Sequence, residues 1–285
     1  MEYFTLNTGD RMPMDGIGVF LLTPEQAEAS VYSAIQDGVR LIDTANAYMN
    51  EKAVGRAVKR AVDEGLVKRE DLFIVTKLWP TVYEDENAVD STLKRLGMDY
   101  VDLLFLHQPA GNWRKGYENM EKAYKEGKVK ALGLSNFFDD QLDEILDKAE
   151  VRPSMVQVEA HPYFPQTELK KKLSAHGMGL MAWYPLGHGD KSLLNEKVFA
   201  DLAEKYHKTP AQVILRWHVQ SGNVVIPGSK NPSHIRDNFN IFDFALTDEE
   251  MDEIAKLDKN VRYYNATKED VQKYASMSLD FDSQE

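Results

Sequence analysis

Eight short apolar or β-branched runs are strung along this chain, and stretches of helical period separate them. The runs read MDGIGVF (14–20), GVRLID (38–43), LFIVTK (72–77), VDLLFLH (101–107), ALGLS (131–135), SMVQVEA (154–160), GLMAWY (179–184) and NVVIP (223–227). Between them lie amphipathic segments such as EKAVGRAVKRAVDEG (51–65), NAVDSTLKRLG (87–97) and FFDDQLDEILDKAE (137–150). Strand–helix–strand order implies parallel strands joined by right-handed crossovers. Eight such units in 285 residues predict an α/β fold, a single (β/α)8 TIM barrel with its active site at the C-terminal ends of the strands. An open doubly wound sheet is the competing architecture. It usually carries a Gly-x-Gly-x-x-Gly turn after its first strand, whereas DGIGVF lacks the third glycine and opens no helix.

No linker rich in Pro, Gly or Ser interrupts the pattern, so residues 1–285 are expected to form one domain. The pattern loosens between Gly187 and Thr209 and again after Asn260. The polar tail from Tyr263 to Glu285 reads equally as an arm covering a substrate and as a frayed end.

Composition narrows the class. A hydrophobic fraction of 43% fills a sizeable core, and a formal net charge of -12 argues against nucleic acid or an anionic membrane as partner. The absence of cysteine excludes disulfides, thiolate nucleophiles and zinc ribbons. The opening MEYFTLNTGDRMP has no basic segment before an apolar run, and no stretch reaches the ~20 apolar residues of a membrane helix. A cytoplasmic protein is expected, with a monomer as the default because no exposed apolar stripe stands out.

In a barrel the chemistry gathers where the strands end. The polar residues there are Asp43, Lys77, His107 and Glu159, with Tyr48 just beyond the second run. Each has a plain structural reading: a helix cap, a snorkelling lysine, a hydrogen-bonded strand end, a packed ring. Together they describe one reaction. A phenol ordinarily holds its proton to a pKa near 10, and a neighbouring ammonium lowers that value. A carboxylate beside the lysine keeps it charged in a buried place. Asp43 is thus expected to hold Lys77 charged, Lys77 to tune Tyr48, and Tyr48 to act as general acid. His107 would donate to a carbonyl oxygen as negative charge develops there. No side chain supplies hydride, so a nicotinamide is implied.

These residues and their surroundings resemble the aldo-keto reductase family, from about Leu6 to Asp258. GVRLIDTANAYMNEKAVGRAV resembles the stretch carrying the family's catalytic Asp and Tyr, here Asp43 and Tyr48. VTKLWP resembles the segment with its Lys, here Lys77, and YVDLLFLHQP the one with its His, here His107. GLSNF and VQVEAHP imply that Ser135, Asn136 and Gln157 hold the nicotinamide carboxamide. MAWYPLGHG implies that Trp183 stacks on the ring. The resemblance also places Val19, Asp43, Leu186 and Gly187 among the coenzyme contacts.

Two departures stand out. Tyr184 occupies a position that is usually Ser, which leaves the pyrophosphate to backbone groups at Leu186 and Gly187. The segment PGSKNPSHIRDN has Gly228 at the family's lysine position and His234 at its arginine position, with Lys230 and Arg236 nearby. Asp237 and Asn238 fit the pair that meets the adenine. Ser229, Lys230, His234 and Arg236 would supply donors to a 2′-phosphate, which favours NADP(H). NAD(H) stays open if Lys230 and Arg236 are solvated helix-start charges.

The pocket aromatics expected from loop positions are Phe20, Trp79, Tyr83 and Trp113, beside Tyr48 and His107. They imply a reductase of small aldehydes and ketones, or the reverse oxidation of alcohols. Two other readings stay open: a coenzyme-binding relative with a non-catalytic role, and a glycoside hydrolase pairing Asp43 with Glu159 across a groove. No metal is expected. The seven histidines, at positions 107, 161, 176, 188, 207, 218 and 234, never fall at the i, i+4 spacing of a helical zinc pair, and His161 is expected to pack.

Overall fold

Side chains alternate between the two faces of a strand, and in this chain the alternation builds two cores with one set of residues. The computed structural model describes residues 1–285. An antiparallel hairpin, β1 (Tyr3–Thr5) and β2 (Arg11–Pro13), comes first. Eight parallel strands follow: β3 (Ile17–Gly18), β4 (Leu41–Asp43), β5 (Phe73–Leu78), β6 (Leu103–Leu106), β7 (Leu132–Ser135), β8 (Met155–Glu159), β9 (Gly179–Trp183) and β10 (Asn223–Val225). Each pairs with its neighbour in sequence. The ring closes where Asp15 bridges Val225 and the Gly16 N–H donates to the Val225 carbonyl at 3.0 Å. The chain therefore forms the expected barrel, and each barrel strand falls within its expected run except β5, which continues one residue further, to Leu78.

Leu41, Phe73, Val75, Leu103, Phe105, Met155 and Met181 point inward and form one cluster, sealed from below by Leu6 and Met12 of the hairpin region. The intervening Ile42, Ile74, Leu104, Leu132, Leu134 and Val156 point outward into a larger cluster with the helices. Those helices are α1 (Pro24–Gln36), α2 (Glu51–Asp63), α3 (Ala88–Leu96), α4 (Trp113–Lys125), α5 (Asp139–Lys148) and α6 (Thr167–Ala175). The starts and stops are local chemistry. Thr23 and Gln26 form a capping box on α1, and Gly97 ends α3 at φ 64°, in the left-handed region.

The loosely patterned stretch after β9 is helical where the sequence left a loop. It holds α7 (Lys191–Leu194) and α8 (Lys197–Tyr206), followed by α9 (Pro210–Gln220). Phe199, Leu202 and Ala203 pack with Val213 and Trp217 in a third cluster, and this small amphipathic face stabilises helices too short to persist alone. After β10 come α10 (Pro232–Phe239), α11 (Asp248–Ala255) and α12 (Lys268–Lys273). The tail then crosses the top of the barrel and docks on its outside. Phe281 and Gln284 are buried, Asp282 pairs with Arg95 at 3.1 Å, and the Lys52 N–H donates to Gln284 at 2.9 Å. No helix is long and apolar enough to cross a membrane.

Gly133 shows how tightly the interior is filled. A Cβ placed there would lie 2.5 Å from the Phe105 ring. Gly133→Ala should therefore lower stability by about 1–3 kcal/mol, read as a shift of the urea midpoint. An unchanged midpoint would mean that the ring moves aside freely.

Candidate active site

The inward parity that fills the barrel with apolar groups continues upward into a polar layer. Asp43 lies two residues after Leu41, Lys77 after Val75, His107 after Phe105, Ser135 after Gly133, Gln157 after Met155 and Trp183 after Met181. All but Lys77 line a cavity of about 420 Å³ at the strand ends, and Lys77 lies buried beneath it. A single 3-10 turn, Asn46–Tyr48, carries Tyr48 from the end of β4 over that layer.

Lys77 and Asp43 are both fully buried and meet in a two-point contact. Lys77 Nζ lies 2.8 Å from Asp43 Oδ1 and 2.7 Å from Oδ2, and its third donor reaches the Thr44 carbonyl at 2.9 Å. Gln157 Nε2 donates to Asp43 Oδ1 at 3.0 Å. Burial pushes the Asp43 carboxyl up and the Lys77 ammonium down, while each ion pulls the other back toward charge. Lys77 Nζ lies 4.7 Å from the centre of the Tyr48 ring.

The phenol departs from the sequence expectation. Its pKa is well above the ordinary value, driven first by burial, then by the Asp43 charge and by Tyr184. Burial, which the sequence expectation did not weigh, outweighs the neighbouring ammonium. His107 is pushed well below its ordinary value, by burial and then by the Lys77 charge, so its imidazole is neutral. His107 Nδ1 is buried without a partner. The ring sits edge-on to Tyr48 at 5.6 Å and to Trp79 at 5.1 Å.

The residues expected to hold a carboxamide are grouped beside this set. Asn136 has φ 64°, a left-handed conformation that Asn tolerates better than most residues. Its amide donates to Ser135 Oγ at 3.2 Å, and its oxygen accepts from Trp183 Nε1 at 3.1 Å. That bond fixes the indole, which lines the cavity and is partly exposed. A planar face, three amide or hydroxyl groups and an orphaned imidazole nitrogen fit an amide-bearing aromatic ring. At the rim Gly228 lies so close to Gly18 that a Cβ would sit 2.9 Å from its carbonyl oxygen.

Farther out, Gly187 takes φ 67° and donates to the Tyr184 carbonyl at 2.8 Å, next to the half-buried Leu186. Tyr184 stacks on His188 at 4.1 Å. Lys230 and His234, around the start of α10, and Asp237, in its last turn, are exposed and have no side-chain hydrogen bond or ion pair, whereas Ser229 binds back to Asn231. Asn238 is half-buried on α10. Arg236 is engaged by Asp37 at 3.3 Å.

Three expectations fail on packing. Val19 faces the outer core, its N–H donates to the Asp43 carbonyl, and its carbonyl accepts from Asn50, so it has no free group for a coenzyme. Trp113 starts α4 and packs edge-on to Phe137 in the outer core, away from the pocket. Tyr83 is buried, with its hydroxyl donating to the Gln108 carbonyl at 2.9 Å. Phe20 and Trp79 do line the cavity, with Phe20 5.0 Å from Tyr48. Sequence reasoning missed Gln108, Tyr184 as a wall, and Tyr264, Tyr274 and Met277 from the tail. Gln108 was findable as the neighbour of His107, but the tail residues carry no periodic signal.

The carboxylates of the hydrolase reading are both committed. Asp43 is held by Lys77 and Gln157, and Glu159 accepts from two tail amides and meets His161. No group of three or more His, Asp or Glu side chains is placed to hold a metal ion.

A closed parallel barrel with a Tyr, Lys, Asp and His set at its strand ends, beside a carboxamide-sized niche, defines a carbonyl oxidoreductase. The chain belongs to the aldo/keto reductase family, whose family model matches residues 21–259. It is 41% identical to methylglyoxal reductase DkgA of Escherichia coli over 90% of this chain and 94% of that protein. It is likewise 41% identical to morphine 6-dehydrogenase of Pseudomonas putida, over 90% and 91%. The solved aldose reductase of Schistosoma japonicum superposes with a TM-score of 0.86 at 34% identity, covering 93% of this chain and 94% of that one. The protein is thus an oxidoreductase acting on aldehydes and ketones with a nicotinamide coenzyme.

Lys77→Met should cost about 3–5 kcal/mol in chemical denaturation, because Asp43 would stay buried and unpaired. Lys77→Met combined with Asp43→Asn should recover much of that loss. Equal stability of the single and double variants would contradict the coupling.

Proposed function

We propose that the protein reduces small aldehydes and ketones with NADPH, and that Tyr48 donates the proton. The observation that carries this reading is the convergence of a neutral Tyr48 and a neutral His107 on one cavity above the Asp43–Lys77 pair. Bound coenzyme would supply hydride to the carbonyl carbon. A raised phenol pKa keeps Tyr48 protonated before reaction, as a donor must be. The alkoxide formed is a far stronger base than a phenolate, so the proton transfer runs downhill. Lys77 then lies close enough to stabilise the phenolate left behind, while His107 orients the carbonyl oxygen by hydrogen bonding.

On this reading Ser135, Asn136 and Gln157 hold the carboxamide and Trp183 backs the ring. Leu186 and Gly187 offer backbone groups to the pyrophosphate, and Asp237 and Asn238 meet the adenine. Ser229, Lys230 and His234 receive the 2′-phosphate, and the unpaired, exposed Lys230 supports NADPH over NADH. Phe20, Trp79, Tyr264, Tyr274 and Met277 wall the substrate site, with the tail as its cover: Trp79 Nε1 donates to the Met277 carbonyl at 3.0 Å. The differing substrates in the relatives' names, methylglyoxal and morphine, support a broad carbonyl range.

Loss of nicotinamide absorbance with para-nitrobenzaldehyde tests the reading directly. Tyr48→Phe should lower turnover about 10²–10⁴-fold while coenzyme binding persists, and near-native turnover in the variant would eliminate Tyr48 as donor. NADH should give a kcat/KM roughly tenfold below NADPH, the effect of one charge-assisted contact. A preference for NADH would reverse the coenzyme assignment. With His107 shifted down and Tyr48 shifted up, neither titrates near neutrality, so kcat/KM should stay flat from about pH 7 to 9. A break inside that window would show that one of them does.

A further inference from the structure

Glu159 ends β8 on the inward side of the barrel and is 3% exposed. Its two oxygens are committed to the tail backbone. Oε1 accepts from the Tyr263 N–H at 2.6 Å, and Oε2 accepts from the Tyr264 N–H at 3.1 Å. Oε1 also meets Nε2 of the fully buried His161 at 3.0 Å, which fixes the carboxylate's orientation. A buried carboxylate accepting two successive amides is a charge-assisted clamp.

The two clamped tyrosines reach in different directions. The Tyr263 hydroxyl donates to Asp190 Oδ2 at 2.6 Å, in the loop after β9. It also crowds Gly187, where a Cβ would come within 3.2 Å of it. The Tyr264 ring lies 5.8 Å from Trp183, and its hydroxyl hydrogen-bonds that of Tyr274, which in turn packs on Trp79 at 5.2 Å. One carboxylate therefore fixes a segment that touches the 187–190 loop on one side and the cavity wall on the other.

We infer that Glu159 is a positioning residue whose clamp on Tyr263 and Tyr264 couples the 187–190 loop to the substrate cover. The inference rests on the coenzyme and substrate assignments proposed above. Lifting the loop breaks the Tyr263–Asp190 bond or drags Tyr263 from Glu159. Dragging Tyr263 pulls Tyr264 from its place against Trp183, so coenzyme release and opening of the cover become one motion.

Trypsin offers a readout without coenzyme, because the exposed Arg262 precedes the Tyr263 N–H that Glu159 holds. Glu159→Gln should speed cleavage after Arg262 about tenfold, with no matching rise at Lys59 within α2. Tyr263→Phe, which keeps the ring and removes the bond to Asp190, should speed NADPH dissociation about tenfold in stopped-flow fluorescence. The combined variant should release NADPH less than about twofold faster than Tyr263→Phe alone, as expected for a shared clamp. Unchanged cleavage at Arg262 in Glu159→Gln, an equal rise at Lys59, or release effects that multiply would each overturn the inference. If Glu159→Gln fails to fold, unaltered NADPH release in Tyr263→Phe is enough to overturn it. Failure of the wild-type protein to bind NADPH would instead strike the proposed function, and the cleavage comparison would still judge the clamp.

Discussion

An ammonium and a carboxylate removed together from water set the terms for everything above the barrel's apolar core. Desolvating either ion alone costs several kcal/mol, and their attraction offsets that cost only in good geometry with the remaining donors satisfied. The barrel provides that geometry. Asp43 pairs in register with Val75, two residues short of Lys77 on the adjacent strand, so the lysine stem folds onto the carboxylate. Thr44 and Gln157 complete the shell. Burial, reinforced by the Asp43 charge, keeps Tyr48 protonated above the pair, and burial, reinforced by the Lys77 charge, keeps His107 neutral.

The outer face of the same strand carries a second buried charge. Thr76, on the opposite side from Lys77, donates to Glu51 at 2.7 Å, and Glu51 pairs with Arg95 at 2.7 Å. Asn46, at the start of the turn that carries Tyr48, donates to the same Glu51 oxygen at 3.0 Å, and its own oxygen accepts from the Trp79 N–H at 3.3 Å. This network braces the turn and the strand end from outside. Arg95 also contacts Asp282, so the last turn of the tail is tied to the scaffold under the catalytic strand.

Much of this was legible because two simple rules carry far in a parallel barrel. The strand-end rule put Asp43, Lys77 and His107 in one layer, and alternation along the strands is why all three, with Gln157, face inward. The misreadings came where neither rule applies. Trp113 follows a strand, as a pocket residue would, but it opens a helix and its ring belongs to that helix's buried face. Val19 lies at a strand end yet has outward parity. Tyr264, Tyr274 and Met277 lie in a segment with no periodicity, placed by backbone bonds to a carboxylate 104 and 105 residues earlier, which no local pattern encodes. The direction of the Tyr48 shift was missed because sequence shows which charges are present but not how deeply the phenol is buried among them.

The docking of Phe281, Asp282 and Gln284 on the outer wall has a consequence for how the molecule comes apart. These contacts span 187 and 232 residues of sequence and are made by the short segment from Phe281 to Gln284. Segments of that kind detach at a lower free energy than the sheet they rest on. Mild warming would then free the mouth while the strand ring stays closed, and the range of molecules admitted would widen with temperature before the protein melts.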